Sequence, residues 1–397
     1  MKNNQNQKLI YLDYAASTPV DAEVVSAMAP YWTEEFGNPG SLHFMGQEAR
    51  RVVDDAREKI KKFVNADSLR NIIFTGSATE ADNMAVYGAA RGFTNSHRLV
   101  MPHIITTAIE HEAVLESCRD LEKNGLARVT YLKAGKDGIV DVADLENALS
   151  PETALVSIMY ANNEIGAIQP IAEIAEIIHQ WKKFSGIVSD WPLIHTDAVQ
   201  AAGFLNMDAR KLGVDLLTIS GHKIYGPKGV GALYVRDGIN IYPWLRGGGQ
   251  EYGMRAGTEP VPLIVGLGRA VELAEQWKSS ADNIKNMLKS RDHLLDKLLT
   301  IPGVALNGSR ERRLPNNINV ALTNRDFDTI MIGLSQAGVC VSSGSACAAR
   351  GQKPSHVILA LGCDEKRARS SLRVTLGKYT TEKELDDFYK ILQNMLK

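Results

Sequence analysis

Between about residue 70 and residue 235, short runs rich in Ile, Val and Thr alternate with longer stretches of helical period, and no other feature of the chain restricts its fold so much. The strand-like runs are 71–75, 103–107, 128–133, 154–160, 193–196, 215–220 and 231–235. Helical patterns at 81–91, 111–123, 142–149 and 171–183 fall between several of them. Such alternation predicts βαβ units, hence an α/β fold with a mostly parallel seven-stranded sheet covered by helices on both faces. In sheets of this kind ligands sit at the carboxyl ends of the strands.

After Gly257 the pattern becomes one long helical stretch, 261–299, ended by Pro302-Gly303. A smaller α+β region follows, with a strand at 317–322, a helix at 326–337, a Ser/Gly/Ala-rich loop and a final amphipathic helix from Glu382. A chain of 397 residues exceeds what one compact core usually supports, so two domains are expected. The expected division is a large unit of residues 15–260 and a small unit of residues 1–14 and 261–397.

With 45 basic and 46 acidic side chains the net charge is -1, which supplies no long-range field for nucleic acid or an anionic membrane. The first residues are polar, and no run is long and apolar enough to span a bilayer, so a soluble, cytoplasmic protein is expected. Four cysteines, Cys118, Cys340, Cys347 and Cys363, are too few for a disulfide scaffold, and none has the spacing of a metal site. They are read as reduced thiols, with no metal expected.

The segment Thr218-Ile-Ser-Gly-His-Lys223-Ile-Tyr-Gly226 places a lysine just past a buried strand. Desolvation there lowers the pKa of the amine and suits it to Schiff-base chemistry. Taken singly, Lys223 reads better as a surface lysine in a glycine-rich turn. Asp197 closes another apolar run, where a carboxylate pairs with a protonated pyridine nitrogen or, on the plainer reading, caps a helix. Upstream, Thr75-Gly-Ser-Ala-Thr-Glu80 joins a strand to a helix and gathers hydroxyls and free N–H groups suited to phosphate, although Ser77 and Glu80 also have the spacing of a capping box.

These segments occur in one order with Tyr11-Leu-Asp-Tyr-Ala-Ala-Ser-Thr-Pro19, Phe36-Gly-Asn-Pro39, Glu110-His111, Asn162-Asn-Glu-Ile-Gly166, Met254-Arg-Ala-Gly-Thr258 and Ser342-Ser-Gly-Ser-Ala-Cys347. On them the chain resembles the cysteine desulfurases of the iron–sulfur-cluster and nitrogen-fixation type, within the class V aminotransferase group of fold-type I pyridoxal-phosphate enzymes. The resemblance covers nearly the whole chain. It implies conversion of L-cysteine to L-alanine, with pyridoxal 5'-phosphate held covalently by Lys223 and the sulfur taken up by Cys347 as a persulfide. Asp197 would pair with the ring nitrogen, Gln200 would bond the phenolic oxygen, and His111 would stack on the ring and move protons. Ala78, Thr79, Ser220 and His222 would hold the phosphate end, with Thr258 reaching over from the second subunit of a homodimer. Asn163, also placed beside the cofactor, and Arg373 would bind the substrate carboxylate, for which a bidentate guanidinium is suited. The implied partner is a sulfur-acceptor protein such as an iron–sulfur scaffold. Relatives dedicated to that scaffold carry a further C-terminal docking tail, which this chain, ending at Lys397, lacks; Gly76-Ser77 also stands in the reverse of the family's usual order.

Overall fold

The computed structural model describes residues 9–97, 100–186, 189–323, 325–343 and 354–396. Its centre is a seven-stranded sheet with the spatial order Ile72–Thr75, Gly231–Val235, Leu216–Ser220, Leu193–Asp197, Thr153–Ser157, His103–Thr107, Arg128–Leu132. Every neighbouring pair is parallel except those made by Gly231–Val235, which runs antiparallel to both its neighbours. Successive side chains of a strand point to opposite faces. Ile72, Phe74, Leu217 and Ile219 accordingly lie in a core with the helices Phe44–Phe63, Ile171–Phe184 and Val261–Ser279, whereas Ile73 and Leu216 lie in another with Ala78–Ser96 and Glu112–Lys123. Coverage of both faces explains why these runs are continuously apolar.

A second set of strands is antiparallel: Ser342–Ser343, Ser371–Thr375, Asn317–Leu322 and Val304–Leu306. The helices Ala281–Leu299, Phe327–Gln336 and Glu382–Met395 cover it, and Ile10 and Leu12 complete its core from the other end of the chain. Ile10–Tyr11 pairs in parallel with Val339–Cys340, and Asp13 bridges Thr375, so residues near the two ends of the sequence are stitched together. No helix among the described residues is long and apolar enough to cross a membrane.

The expected single helix over 261–299 is two helices, Val261–Ser279 and Ala281–Leu299, separated by Ser280 with extended backbone (φ -80, ψ 110). A helical period on both sides of one residue conceals such a break. Val261, Ile264, Leu267 and Ala270 pack into the core of the large sheet.

One buried ion pair fastens the large sheet to the turn that leads towards Thr258. Arg57, on the Phe44–Phe63 helix, donates to both carboxylate oxygens of Glu251 at 2.7 and 2.9 Å, and Glu251 also accepts from the Phe74 N–H at 2.8 Å. Both side chains are almost fully buried. Arg57→Met leaves an uncompensated charge and should destabilise the protein by about 3–5 kcal/mol in urea denaturation. Adding Glu251→Gln should recover much of that loss, because the amide still accepts from Phe74 and carries no charge.

Candidate active site

Four parallel strands end on one cavity of about 830 Å³. Beyond Leu216–Ser220 the backbone turns sharply, and a Cβ on Gly221 would stand 2.7 Å from the Pro227 carbonyl, so only glycine permits the turn. The turn sets Lys223 in the cavity wall, where its Nζ donates to the carbonyls of Ala15 at 2.6 Å and Ala16 at 2.8 Å. Gln200 donates to the same Ala15 carbonyl at 3.0 Å. His222 lies beside Ser17 at 3.4 Å; burial, helped by the charges of Lys223 and Lys228, pushes its imidazole down to about 4, so it is neutral at physiological pH.

Asp197 and His111 face each other at the ends of neighbouring segments. Asp197 closes its strand with one carboxylate oxygen accepting from the Val199 N–H at 2.9 Å. Burial raises its carboxyl above the usual carboxylate value, with His111 and Lys223 opposing the rise. His111 caps the Glu112–Lys123 helix, its Nδ1 accepting from the Ala113 N–H at 3.1 Å, and burial pulls its imidazole below the ordinary value against the attraction of Asp197. No helix directly follows Asp197; it caps a turn instead, and it also lines the cavity.

On the opposite wall the Ala78–Ser96 helix begins. Ser77 caps it by accepting from the Glu80 N–H at 3.1 Å, but Glu80 turns to the Gly76 N–H and to Arg255, so no reciprocal capping box forms. Gly231 allows the close approach, since a Cβ there would stand 2.9 Å from the Ala78 nitrogen. Ala78, Thr79, Ser220 and His222 all line this part of the cavity. Thr258 is exposed and is not among the lining residues. Cys347 lies outside the described residues.

Arg373 enters from the antiparallel sheet, on the Ser371–Thr375 strand, almost entirely buried. Its Nη1 donates to the Asn163 carbonyl at 2.9 Å and its Nη2 to the Asp13 carboxylate at 2.8 Å. Asn163 and Arg373 thus meet at the cavity through the Asn163 backbone carbonyl.

Several groups were not anticipated. Asp82 and Glu110 are fully buried carboxyls beside Asp197, and burial raises both; Glu110 reaches about 8 while accepting from the Thr107 hydroxyl and the Met159 N–H. His195 stands 3.6 Å from Asp82, and burial pushes its imidazole down to about 3. The available signal was a charge inside an apolar period: Asp82 on the buried face of its helix and His195 within Leu193–Asp197. His356, on the cavity wall, bonds the Glu110 carbonyl at 3.0 Å.

A family model described as aminotransferase class-V matches residues 10–388. The chain belongs to that family. "Cysteine desulfurase IscS" of Dictyoglomus turgidum is 45% identical over 390 residues, which are 98% of this chain and 94% of that protein. A solved structure named as a NIFS-like protein has a TM-score of 0.88 at 38% identity, covering 98% of this chain and 99% of that one. Another, SspA in complex with cysteine, has a TM-score of 0.77 at 36% identity, covering 94% and 99%. Within the family, the chain is one of the cysteine desulfurases.

Glu110 makes a pH dependence expected. In the folded chain it keeps its proton up to about 8, whereas its ordinary value is 4.5. Between those values the native state binds more protons than the unfolded state, so this group makes stability fall as pH rises. Glu110→Gln keeps an acceptor for Met159 and removes the titration. Denaturation midpoints should then fall less steeply across that pH window than in the wild type.

Proposed function

We propose that the protein carries pyridoxal 5'-phosphate on Lys223, removes the sulfur of L-cysteine to leave L-alanine, and takes that sulfur onto Cys347 for delivery to an acceptor protein. The observation that carries this reading is the convergence of Lys223, Asp197, His111 and Arg373 on a single cavity.

The residues present fit the cofactor. Lys223 offers an amine, and Asp197, whose burial disfavours its charge, is answered by a protonated ring nitrogen. Gln200 offers a donor for the phenolic oxygen, and His111 an imidazole for the ring face. The helix start at Ala78 and Thr79, with Ser220 and His222, offers N–H and hydroxyl donors for the phosphate. Thr258, exposed in one chain, suits a contribution across a homodimer. When bound, the cofactor supplies an electron sink that labilises the bonds around the substrate α- and β-carbons.

The chain's own groups then divide the work. Arg373 and Asn163 hold the substrate carboxylate and so orient the amino acid. His111, neutral through burial, can take up or return a proton within the cavity. The Cys347 thiolate accepts the substrate sulfur: the carbon–sulfur bond breaks with its electron pair left on carbon, which is protonated to give alanine, and a sulfur–sulfur bond forms on Cys347. Of the other thiols, burial raises Cys118 to about 12 and also raises Cys340, which keeps both poor nucleophiles.

Three variants test the assignment. Borohydride reduction and peptide mapping should find the cofactor on Lys223 and never on Lys228, and Lys223→Ala should lose it. Cys347→Ala should still give the cysteine-induced change in cofactor absorbance, because the groups that bind cysteine remain, yet form neither persulfide nor alanine at a useful rate. Cys340→Ala should keep both. Undiminished alanine formation by Cys347→Ala would reject the desulfurase mechanism.

A further inference from the structure

Arg373 is a fully buried cation, and a buried guanidinium needs a fixed counter-charge to stay where it is. The carboxylate that meets it is Asp13, at 2.8 Å from Nη2. Glu164 is also electrostatically close, but its carboxylate is engaged by the Ser355 hydroxyl at 2.5 Å. After Asn163 and Asp13 are satisfied, the Nε–H of Arg373 has no partner among the described residues although it is buried. Arg373 lines the cavity and Asp13 does not. The arginine is therefore gripped from behind, with an unanswered donor left over.

The grip is rigid because the backbone of Asp13 is tied to the strand that carries Arg373. The Thr375 N–H donates to the Leu12 carbonyl at 2.8 Å, the Ala15 N–H donates to the Thr375 hydroxyl at 2.9 Å, and the Tyr11 hydroxyl donates to the Asp13 carbonyl at 3.1 Å. The same short segment supplies the Ala15 and Ala16 carbonyls that hold Lys223. One backbone stretch thus relates the lysine to the arginine.

We propose that Asp13 is a positioning residue for the substrate carboxylate: it holds the Arg373 guanidinium in the orientation that presents its remaining donors to the bound amino acid. Asp13 touches the arginine and not the substrate. This rests on the reading of Arg373 as the carboxylate site, and the test separates the two.

The test compares wild-type holoenzyme with Asp13→Ala and Asp13→Asn, using two probes in calorimetric titration. L-Alanine has the amine and carboxylate without the thiol; cysteamine has the amine and thiol without the carboxylate. Asp13→Ala should weaken L-alanine binding and raise KM for L-cysteine by about tenfold or more, while kcat and cysteamine binding move by less than about threefold. Asp13→Asn retains an acceptor for Nη2 but not the counter-charge, so it should recover part of the L-alanine affinity and fall between Asp13→Ala and the wild type. Equal weakening of both probes would show a general structural role and overturn the proposal, as would L-alanine binding that is unchanged or tighter. Asp13→Ser, which keeps a small polar group, replaces the alanine variant in the same comparison if that variant does not fold. The Arg373 reading fails separately: Arg373→Lys with undiminished L-alanine binding would overturn it and this proposal with it.

Discussion

A parallel strand covered on both faces can carry side chains of either direction only if they are apolar or fully partnered, so most of its polar chemistry is displaced to its ends. That constraint organises the molecule. Thr153–Ser157, Leu193–Asp197 and Leu216–Ser220 are buried throughout, and the residues that could act on a ligand stand where they stop: Met159 and Asn163, Asp197, and Ser220 with Lys223. The helices that cover the sheet contribute their starts to the same edge, His111 at one and Ser77 to Thr79 at another. The antiparallel sheet adds Arg373 to the cavity wall, and Pro354 and His356 line it as well.

Burial at this edge also sets the charge balance. Asp82, Glu110 and Asp197 are three carboxyls withdrawn from water, and each is pushed towards its neutral form. The imidazoles of His195 and His222 are driven the other way, to neutrality by loss of their protons. Desolvation thus keeps the site from filling with uncompensated charge, and the polar groups stay available to whatever charged partner is brought in.

The same constraint explains which parts of the structure could be read in the amino-acid order. Strand runs such as His103–Thr107 and Gly231–Val235 were legible because two-sided burial makes them uniformly apolar. Lys223 and Asp197 were legible because they stand at or just past the end of that pattern, whereas His111 was legible only through the motif Glu110-His111. The break at Ser280 was not, since helical period continues across it. Nor was the Phe44–Phe63 helix, whose apolar stripe is interspersed with charged residues. Asp13 was visible only as part of a motif: its partner Arg373 lies 360 residues away, a separation that local pattern cannot bridge.

That long reach has a consequence for how the protein comes into being. Ile10, Asp13 and Ala15 leave the ribosome long before their partners at Val339, Arg373 and Thr375, the last two of these pairs being separated by 360 residues. The large sheet can pair its own strands as they emerge, because its contacts lie within one continuous stretch of chain. The wall that joins Lys223 to Arg373 has to wait until the Ser371–Thr375 strand has been made. A nascent chain therefore passes through a stage with Lys223 made and Arg373 still missing, so the cavity closes only after the later strand has been added.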